Sequence, residues 1–299
     1  MNRRSVAIAA TLSAVALAVA IGAESSKRPP SDSPASTASP RASESTLEVA
    51  GSGSNLPLTR KLLEAWRART QSEFVMHASI GSTGAVQAVR DRAVHIGLLS
   101  RPLSREEREG PAATLTQHPY AWSIVVFGAH PSVRDRSITT REVVALVRGE
   151  PSAWSDGASR VFLSRERGDS SHRAAITRLA GFREAERDAQ DSSRFRVLYS
   201  DVELRFALLG TAGSVGLTDL GAGSIDHLPL VALALDGVAP TKENASAGRY
   251  PLVKPFVALA HRATHPLAES FLRFLRSDEA RTLVEATGFL ATEPAGGVL

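Results

Sequence analysis

The chain has 299 residues, of which 43% are hydrophobic, 22% are charged and none is cysteine. This is an ordinary globular composition, long enough for one large domain or two smaller ones, and the lack of cysteine excludes disulfide scaffolds, thiolate metal sites, cysteine nucleophiles and a cysteine-linked lipid anchor. The formal charge of +4 arises from 35 basic and 31 acidic residues without a basic run or stripe, which argues against nucleic acid as a partner.

The amino-terminal residues have the features of an export signal. Arg3 and Arg4 precede an uncharged, apolar stretch from Ser5 to Ala23, so residues 1–23 are predicted to be a secretory signal peptide. An uncleaved membrane anchor is the alternative, because the stretch is just long enough to span a bilayer. Either outcome predicts a periplasmic or otherwise extracytoplasmic protein that contacts a membrane only through this segment, and that is not a lipoprotein. Residues 24–45 are rich in Ser, Pro and Ala and are predicted to be a disordered linker.

The rest of the chain alternates strand-like runs, loops of small residues and helical patterns. Alternating strands and helices predict an α/β fold with largely parallel sheets. Three units, each a strand followed by a loop and a helix, are the clearest. In that order they are residues 47–50, 51–57 and 58–66 in the first unit, residues 74–80, 81–84 and 85–89 in the second, and residues 161–163, 164–171 and 172–180 in the third.

Loops of this kind are suited to binding a small oxyanion. The first amides of a helix lack partners within the helix and lie at the positive end of its dipole, while Ser, Thr and Asn add further donors. The same residue types are the preferred helix caps, so a single loop carries little weight; three of them, one with Arg165, favour an anion site. Neither glycine loop matches a nucleotide motif, and the eight histidines lack metal-binding spacing, so we predict no cofactor and no metal.

In order and spacing, a series of segments resembles the periplasmic phosphate-binding family, the substrate-binding proteins of phosphate ABC transporters. The resemblance runs from about Leu47 to Leu290 and ends in an amphipathic helix with VEATGFL. The other matching segments are GSGSNLP from Gly51, IGSTGAVQAV from Ile80, HIGLLSRPLS from His95, TTREVVALVRGEPSAWSDG from Thr139, RERGDSS from Arg165, GTAGSVGL from Gly210 and ENASAGRYPLVKPF from Glu243.

The resemblance implies a two-lobed class II periplasmic-binding-protein fold, with two chain crossings between lobes and a ligand in the cleft. Residues 46–124 plus 237–299 would form lobe 1, and residues 125–236 lobe 2, with crossings at residues 123–127 and 230–234. The implied function is capture of phosphate or a related small oxyanion for an ABC-transporter permease, by a monomer that is not an enzyme.

The resemblance also implies the ligand-binding residues. They lie in turns that match the family's anion-contacting turns, with Arg165 as the arginine that pairs with the anion and with Arg101 and Arg167 expected at the rim. The predicted ligand-binding residues are Ser54, Asn55, Leu56, Ser82, Thr83, Gly84, Ser100, Arg101, Arg165, Gly168, Asp169, Ser170 and Ser171.

Two residues depart from the family's pattern. Ser100 stands where phosphate-specific members carry a carboxylate that accepts the ligand's proton, and Asp169 stands where a serine hydroxyl donates. A desolvated carboxylate repels an anion unless a neighbouring cation neutralises it, although Asp169 is also predicted to cap the following helix. These departures support the alternative of a divergent binding-protein domain used for sensing or scaffolding without tight phosphate binding. A hydrolase based on Asp169, Ser170, Ser171 and His172 is disfavoured, because adjacent residues cannot form a linear relay.

Overall fold

The computed structural model describes residues 45–110 and 112–296. The predicted signal peptide and all but the last residue of the predicted linker lie outside these ranges. Within them, no helix has both the length and the apolar character needed to cross a bilayer.

Strands and helices alternate along the described chain. The strands are β1 (Thr46–Gly51), β2 (Glu73–Met76), β3 (Ile96–Leu99), β4 (Leu115–Ala129), β5 (Ser137–Ile138), β6 (Val161–Phe162), β7 (Ser164–Arg165), β8 (Val197–Leu198), β9 (Ser214–Asp219), β10 (Val231–Ala232), β11 (Ala234–Leu235) and β12 (Val253–His261). The helices are α1 (Leu56–Thr70), α2 (Gly81–Arg90), α3 (Arg105–Glu109), α4 (Thr140–Val147), α5 (Ser170–Arg178), α6 (Phe182–Asp191), α7 (Asp201–Gly210), α8 (Leu220–Ile225), α9 (Lys242–Ser246), α10 (Pro266–Leu275) and α11 (Asp278–Ala286).

The main sheet has the strand order β2-β1-β3-β12-β4-β9-β6, with β10 also paired to β4. The pairs β1–β2, β1–β3 and β6–β9 are parallel, as strands connected through helices are expected to be. The central strands β12 and β4 instead run antiparallel to their neighbours. The prediction of largely parallel sheets was therefore wrong for the centre of the molecule, because a helix between two strands, such as α3 before β4 or α9 before β12, does not by itself make those strands parallel to their neighbours.

Strand β4 is the longest strand described and exchanges partners along its length. Residues Leu115 to Ile124 pair with β12, whereas Val125 to Ala129 pair with β9. The exchange falls within the predicted crossing at residues 123–127. Strand β12 begins at this exchange point, since Val253 is the register partner of Ile124. Strand β10 pairs with the carboxyl-terminal end of β4. The lobe boundaries themselves remain a prediction.

Three large apolar clusters pack on this sheet. One joins the second half of β4 to β9 and to helices α4, α5 and α6. The other two lie around β1, β3 and β12, one with α1, α10 and α11 and the other with α2. The tryptophans predicted to be core residues are buried, since Trp66, Trp122 and Trp154 are 0%, 4% and 3% exposed. Burial of these apolar clusters against the sheet fixes the loops at the strand ends, where the predicted site residues lie.

Two predicted loops are shorter than expected. Helix α2 begins at Gly81, so Gly81 to Gly84 form its first turn rather than a loop. Helix α5 begins at Ser170, preceded by the short strand β7. Strand β2 ends at Met76 instead of Ile80. Local sequence is least informative at such element ends, because the residues that favour loops also favour first helical turns.

Candidate functional site

A buried lysine lies at the centre of the predicted anion-binding turns. Lys254 is 3% exposed, and its Nζ donates to the hydroxyls of Ser54 at 2.9 Å, Ser170 at 3.0 Å and Ser171 at 2.7 Å. The carboxylate of Asp219 lies 3.1 Å from the same nitrogen. One ammonium group therefore connects the turn before α1 with the first turn of α5.

The strand exchange of β4 creates this arrangement. Lys254 on β12 is the register partner of Ser123 on β4, and Asp219 ends the neighbouring strand β9. Ser123 Oγ donates to Asp219 Oδ1 at 2.5 Å, so three adjacent strands supply a hydroxyl, a carboxylate and an ammonium. In α/β proteins ligands commonly bind where strand connections change direction, beyond the strand ends.

Arg165 lies in a second buried cluster, surrounded by three carboxylates. Its guanidinium is 3.4 Å from Asp169, 3.3 Å from Asp201 and 2.8 Å from Glu166. Burial alone would lower the pKa of Arg165, but the charges of Asp169, Asp201 and Glu166 outweigh it and raise that pKa. Ser54 Oγ donates to Asp201 Oδ1 at 3.1 Å and thereby links this cluster to Lys254.

Asp169 caps helix α5, as predicted. Its Oδ1 accepts from the backbone N–H groups of Ser171 at 2.9 Å and His172 at 3.0 Å. Burial would raise the pKa of Asp169, but the charges of Arg165, His172 and Lys254 and the cap hydrogen bond hold it below its usual range. The carboxylate is thus an acceptor that occupies part of the positive end of the helix, and Arg165 pairs with it.

Gly53 permits the close approach of the first turn to Asp201. A Cβ atom at Gly53 would lie 2.4 Å from Asp201 Oδ2, so no larger residue fits without moving that carboxylate.

Ser100 lies in a network of neutral groups rather than beside an acid. Its Oγ contacts Ser52 Oγ at 2.9 Å and also Asn55 Oδ1, and its N–H donates to Ser82 Oγ at 3.2 Å. The amide of Asn55 donates to Leu99 O at 3.1 Å and to Tyr120 Oη at 3.0 Å. The register shift between β4 and β12 falls at Tyr120, and such bulges redirect side chains.

Arg101 is buried rather than at the rim. It is 8% exposed and forms a bidentate pair with Glu107 at 2.7 and 2.8 Å, while its Nη2 donates to Thr83 Oγ1 at 3.3 Å. The rim prediction was wrong here, because the capping box that begins α3 places Glu107 next to it. Arg167 is exposed and pairs with Asp191, as a rim residue does.

A small crevice of about 110 Å³ lies between the Ser100 segment and α5. Four basic side chains line it, and none of the described residues in its lining carries a carboxylate. Burial and the charge of Arg101 together lower the pKa of Arg173, against a smaller opposing effect of Glu107. The polar and charged lining residues are Ser100, Arg101, Ser170, Arg173, Thr177, Arg178 and Lys254.

Three larger cavities border the same region, and each has at least one carboxylate in its described lining. One of about 600 Å³ lies beside Gly53 and mixes basic residues with Glu64, Asp201 and Asp226. A second, of about 430 Å³, lies beside β4, β9 and α8 and includes Asp219. A third, of about 220 Å³, is lined by Arg165, Arg167 and Glu166 among others. The smaller crevice is the one that joins the serine hydroxyls to the buried lysine.

Comparison with known proteins decides the family. A family model described as the PBP superfamily domain matches residues 35–279. The chain belongs to the PBP superfamily. This confirms the family level of the resemblance seen in the sequence.

Relatives of this PBP-superfamily chain are phosphate-binding proteins by name. It is 25% identical over 252 residues to the phosphate-binding protein PstS of Bacillus subtilis (strain 168), covering 82% of this chain and 80% of that protein. A crystal structure from Clostridium perfringens, assigned to a phosphate ABC transporter substrate-binding protein with bound phosphate, has a TM-score of 0.73 at 20% identity, covering 83% and 100% of the two chains. An ABC-type phosphate transport receptor from Vibrio cholerae has a TM-score of 0.60 at 16% identity, covering 82% and 100%. The predicted two-lobed α/β binding-protein fold is thereby confirmed.

Most of the predicted site residues of this PBP-superfamily chain lie close together. Ser54, Ser170 and Ser171 surround Lys254, and Arg165 and Asp169 form the neighbouring charged cluster. Gly168 forms the turn before α5 with φ +86°. Ligand contact by all of these residues stays a prediction.

Two of the predicted site residues, Leu56 and Gly84, pack against apolar side chains. Leu56 is the first residue of α1 and packs against an apolar cluster. Gly84 lies in the first turn of α2 beside the side chain of Ile80.

Sequence reasoning missed Lys254, Asp219 and Asp201. A signal for Lys254 was present: the chain has four lysines among 35 basic residues, and this one interrupts the apolar run VKPFVALA. Charged residues are rarely buried without a specific partner. Asp219 and Asp201 gave no such signal, because Asp219 precedes α8 and Asp201 begins α7, and acids are common at helix starts.

The serine–histidine contact that the hydrolase alternative requires is not formed among the described residues. His172 Nδ1 bonds to Glu186 Oε1 at 2.7 Å, and the hydroxyls of Ser170 and Ser171 contact Lys254 instead of a histidine. A serine nucleophile needs a base within hydrogen-bonding distance.

Proposed function

We propose that this protein is an extracytoplasmic solute-binding protein that captures phosphate or a related small oxyanion for an ABC importer. It acts by binding alone, not as an enzyme, and passes the ligand to the permease as a monomer. Its ligand site includes the serine and asparagine turns, Arg101, Arg165 and the start of α5. The names of the relatives support the phosphate ligand, and the predicted export signal supports the location.

The observation that carries the proposal is the crevice beside α5. It joins serine hydroxyls to four basic side chains, including Lys254, without a carboxylate in its described lining. Its volume of about 110 Å³ is far below the several hundred Å³ of pockets for drug-sized ligands. Small size, hydroxyl donors and clustered positive charge together fit a compact oxyanion.

Titration calorimetry on the purified protein with phosphate, arsenate and sulfate tests the proposal. We expect micromolar or tighter binding of phosphate and arsenate. We also expect the protein to discriminate less strongly between phosphate and sulfate than it would with a carboxylate at position 100, because Ser100 replaces that acid. Absence of heat and of thermal stabilisation with every one of these anions would overturn the proposal.

A further inference from the structure

Lys254 and Ser170 belong both to the buried hydroxyl cluster and to the lining of the crevice. No segment used to predict the site singles out Lys254. Its ammonium is 3% exposed and lies on the central strand β12, which packing on both faces holds in place. It is therefore a fixed positive charge at the base of the crevice, since a strand residue in a packed core has little freedom to move.

The other two buried cations of the site are Arg165, which is more fully neutralised than Lys254, and Arg101, which like Lys254 has one carboxylate partner. Arg165 has three carboxylates within 3.4 Å, and Arg101 forms a bidentate pair with Glu107. Lys254 has one carboxylate, Asp219, which also accepts a hydrogen bond from Ser123. The remaining partners of Lys254 are neutral hydroxyls, so more of the charge of Lys254 than of the charge of Arg165 is available to an anion in the crevice.

The contacts of Lys254 also orient hydroxyl protons. Its Nζ has three hydrogens but five oxygen neighbours within 3.1 Å, counting both carboxylate oxygens of Asp219. A serine oxygen that accepts from the ammonium keeps its own proton free to donate elsewhere. Ser170 and Ser171 are thereby prepared as donors at the start of α5, next to the crevice.

We propose that Lys254, which lines the crevice, supplies the charge that favours dianionic over monoanionic ligands, with Asp219 as its positioning residue. The inference rests on the proposed function and adds a specificity-determining residue to it. Coulomb energy scales with ligand charge. Loss of the ammonium should therefore reduce the binding free energy of a dianion about twice as much as that of a monoanion.

The test compares Lys254→Met with the double variant Lys254→Met/Asp219→Asn and with Lys61→Met, an exposed lysine on α1. The probe is inorganic phosphate, titrated calorimetrically below and above its second ionisation, so that the monoanion and the dianion are compared. The double variant replaces a buried ion pair by neutral groups, a change that folded proteins commonly tolerate. Thermal unfolding checks that each variant is folded.

We expect about ten- to hundredfold weaker binding of the phosphate dianion in both Lys254 variants, and a smaller loss for the monoanion. Lys61→Met should bind as the wild type does. Recovery of wild-type affinity in the double variant would overturn the inference, because Lys254 would then only neutralise Asp219. Equal losses for the two ionic forms, or no loss, would overturn it as well. If the folded wild-type chain binds no oxyanion, the proposed function itself fails.

Discussion

At the scale of single residues, Arg165 shows how the environment changes what a motif predicts. The sequence presents it as the cation that pairs with an anion, and the structure surrounds it with Asp169, Asp201 and Glu166. Most of its charge already stabilises neighbouring carboxylates, and its contact with a ligand stays a prediction. Its first effect is therefore on the stability of the site.

We expect Arg165→Met to lower the free energy of unfolding by about 3–5 kcal/mol, because it leaves Asp169 and Asp201 buried without their main cation. Chemical denaturation followed by circular dichroism measures this. The matched control is Arg167→Met, which removes an exposed arginine paired with exposed Asp191 and should cost at most about 1 kcal/mol. Similar losses in the two variants would contradict the structural role assigned to Arg165.

At the scale of elements, the packing of α5 on α6 contains a buried ion pair. His172 on α5 is 1% exposed and lies 2.7 Å from Glu186 on α6, with the rings of Phe162 and Phe182 beside it. Burial alone would lower the pKa of His172, but the hydrogen bond and charge of Glu186, with the charge of Asp169, outweigh it and raise that pKa. His172 Nε2 and Glu186 Oε2 have no hydrogen-bond partner among the described residues.

This pair predicts a stability that depends on pH. Because the pKa of His172 is higher in the folded state, the folded protein binds more protons between the two pKa values. The stabilisation is therefore complete below the unfolded pKa of about 6.5 and is lost as the pH rises through the folded pKa. The slope for one group cannot exceed about 1.4 kcal/mol per pH unit. Denaturation at a series of pH values measures it.

The control for this prediction lies on the same helix. Glu186→Gln removes the charge that raises the pKa of His172 and should flatten the decline, whereas Glu184→Gln changes an exposed residue and should leave it intact. If stability declines with rising pH in the same way in both variants, groups other than His172 and Glu186 cause the decline.

The elements also show what the sequence could and could not predict. Helix α1, strand β1 and the cap at Asp169 follow from hydrophobic spacing and capping chemistry, which are local. The antiparallel placement of β12 beside β3 and β4 depends on distant pairing that no local pattern contains. The serine turns were therefore predictable, while the convergence of Lys254, Asp219 and Ser123 required the topology.

At the scale of the whole molecule, the site draws on elements from different apolar clusters. Ser54 precedes α1, which packs with β1 and α10, whereas Ser170 and Ser171 begin α5, which packs with α4 and α6. Strands β4 and β12 run between these regions. A ligand held by both groups of residues should consequently stabilise the described chain as one cooperative unit, and not one cluster alone.

We therefore expect phosphate to raise the thermal unfolding midpoint without splitting the transition. A ligand present at one hundred times its dissociation constant adds about 2.7 kcal/mol of stability, which corresponds to roughly 5–10 °C for a folded region of this size. Scanning calorimetry with phosphate, against sodium chloride at the same ionic strength, separates specific binding from screening. A shift of equal size in chloride would exclude specific binding, and a second transition that phosphate leaves unmoved would show that the ligand contacts only one part of the site.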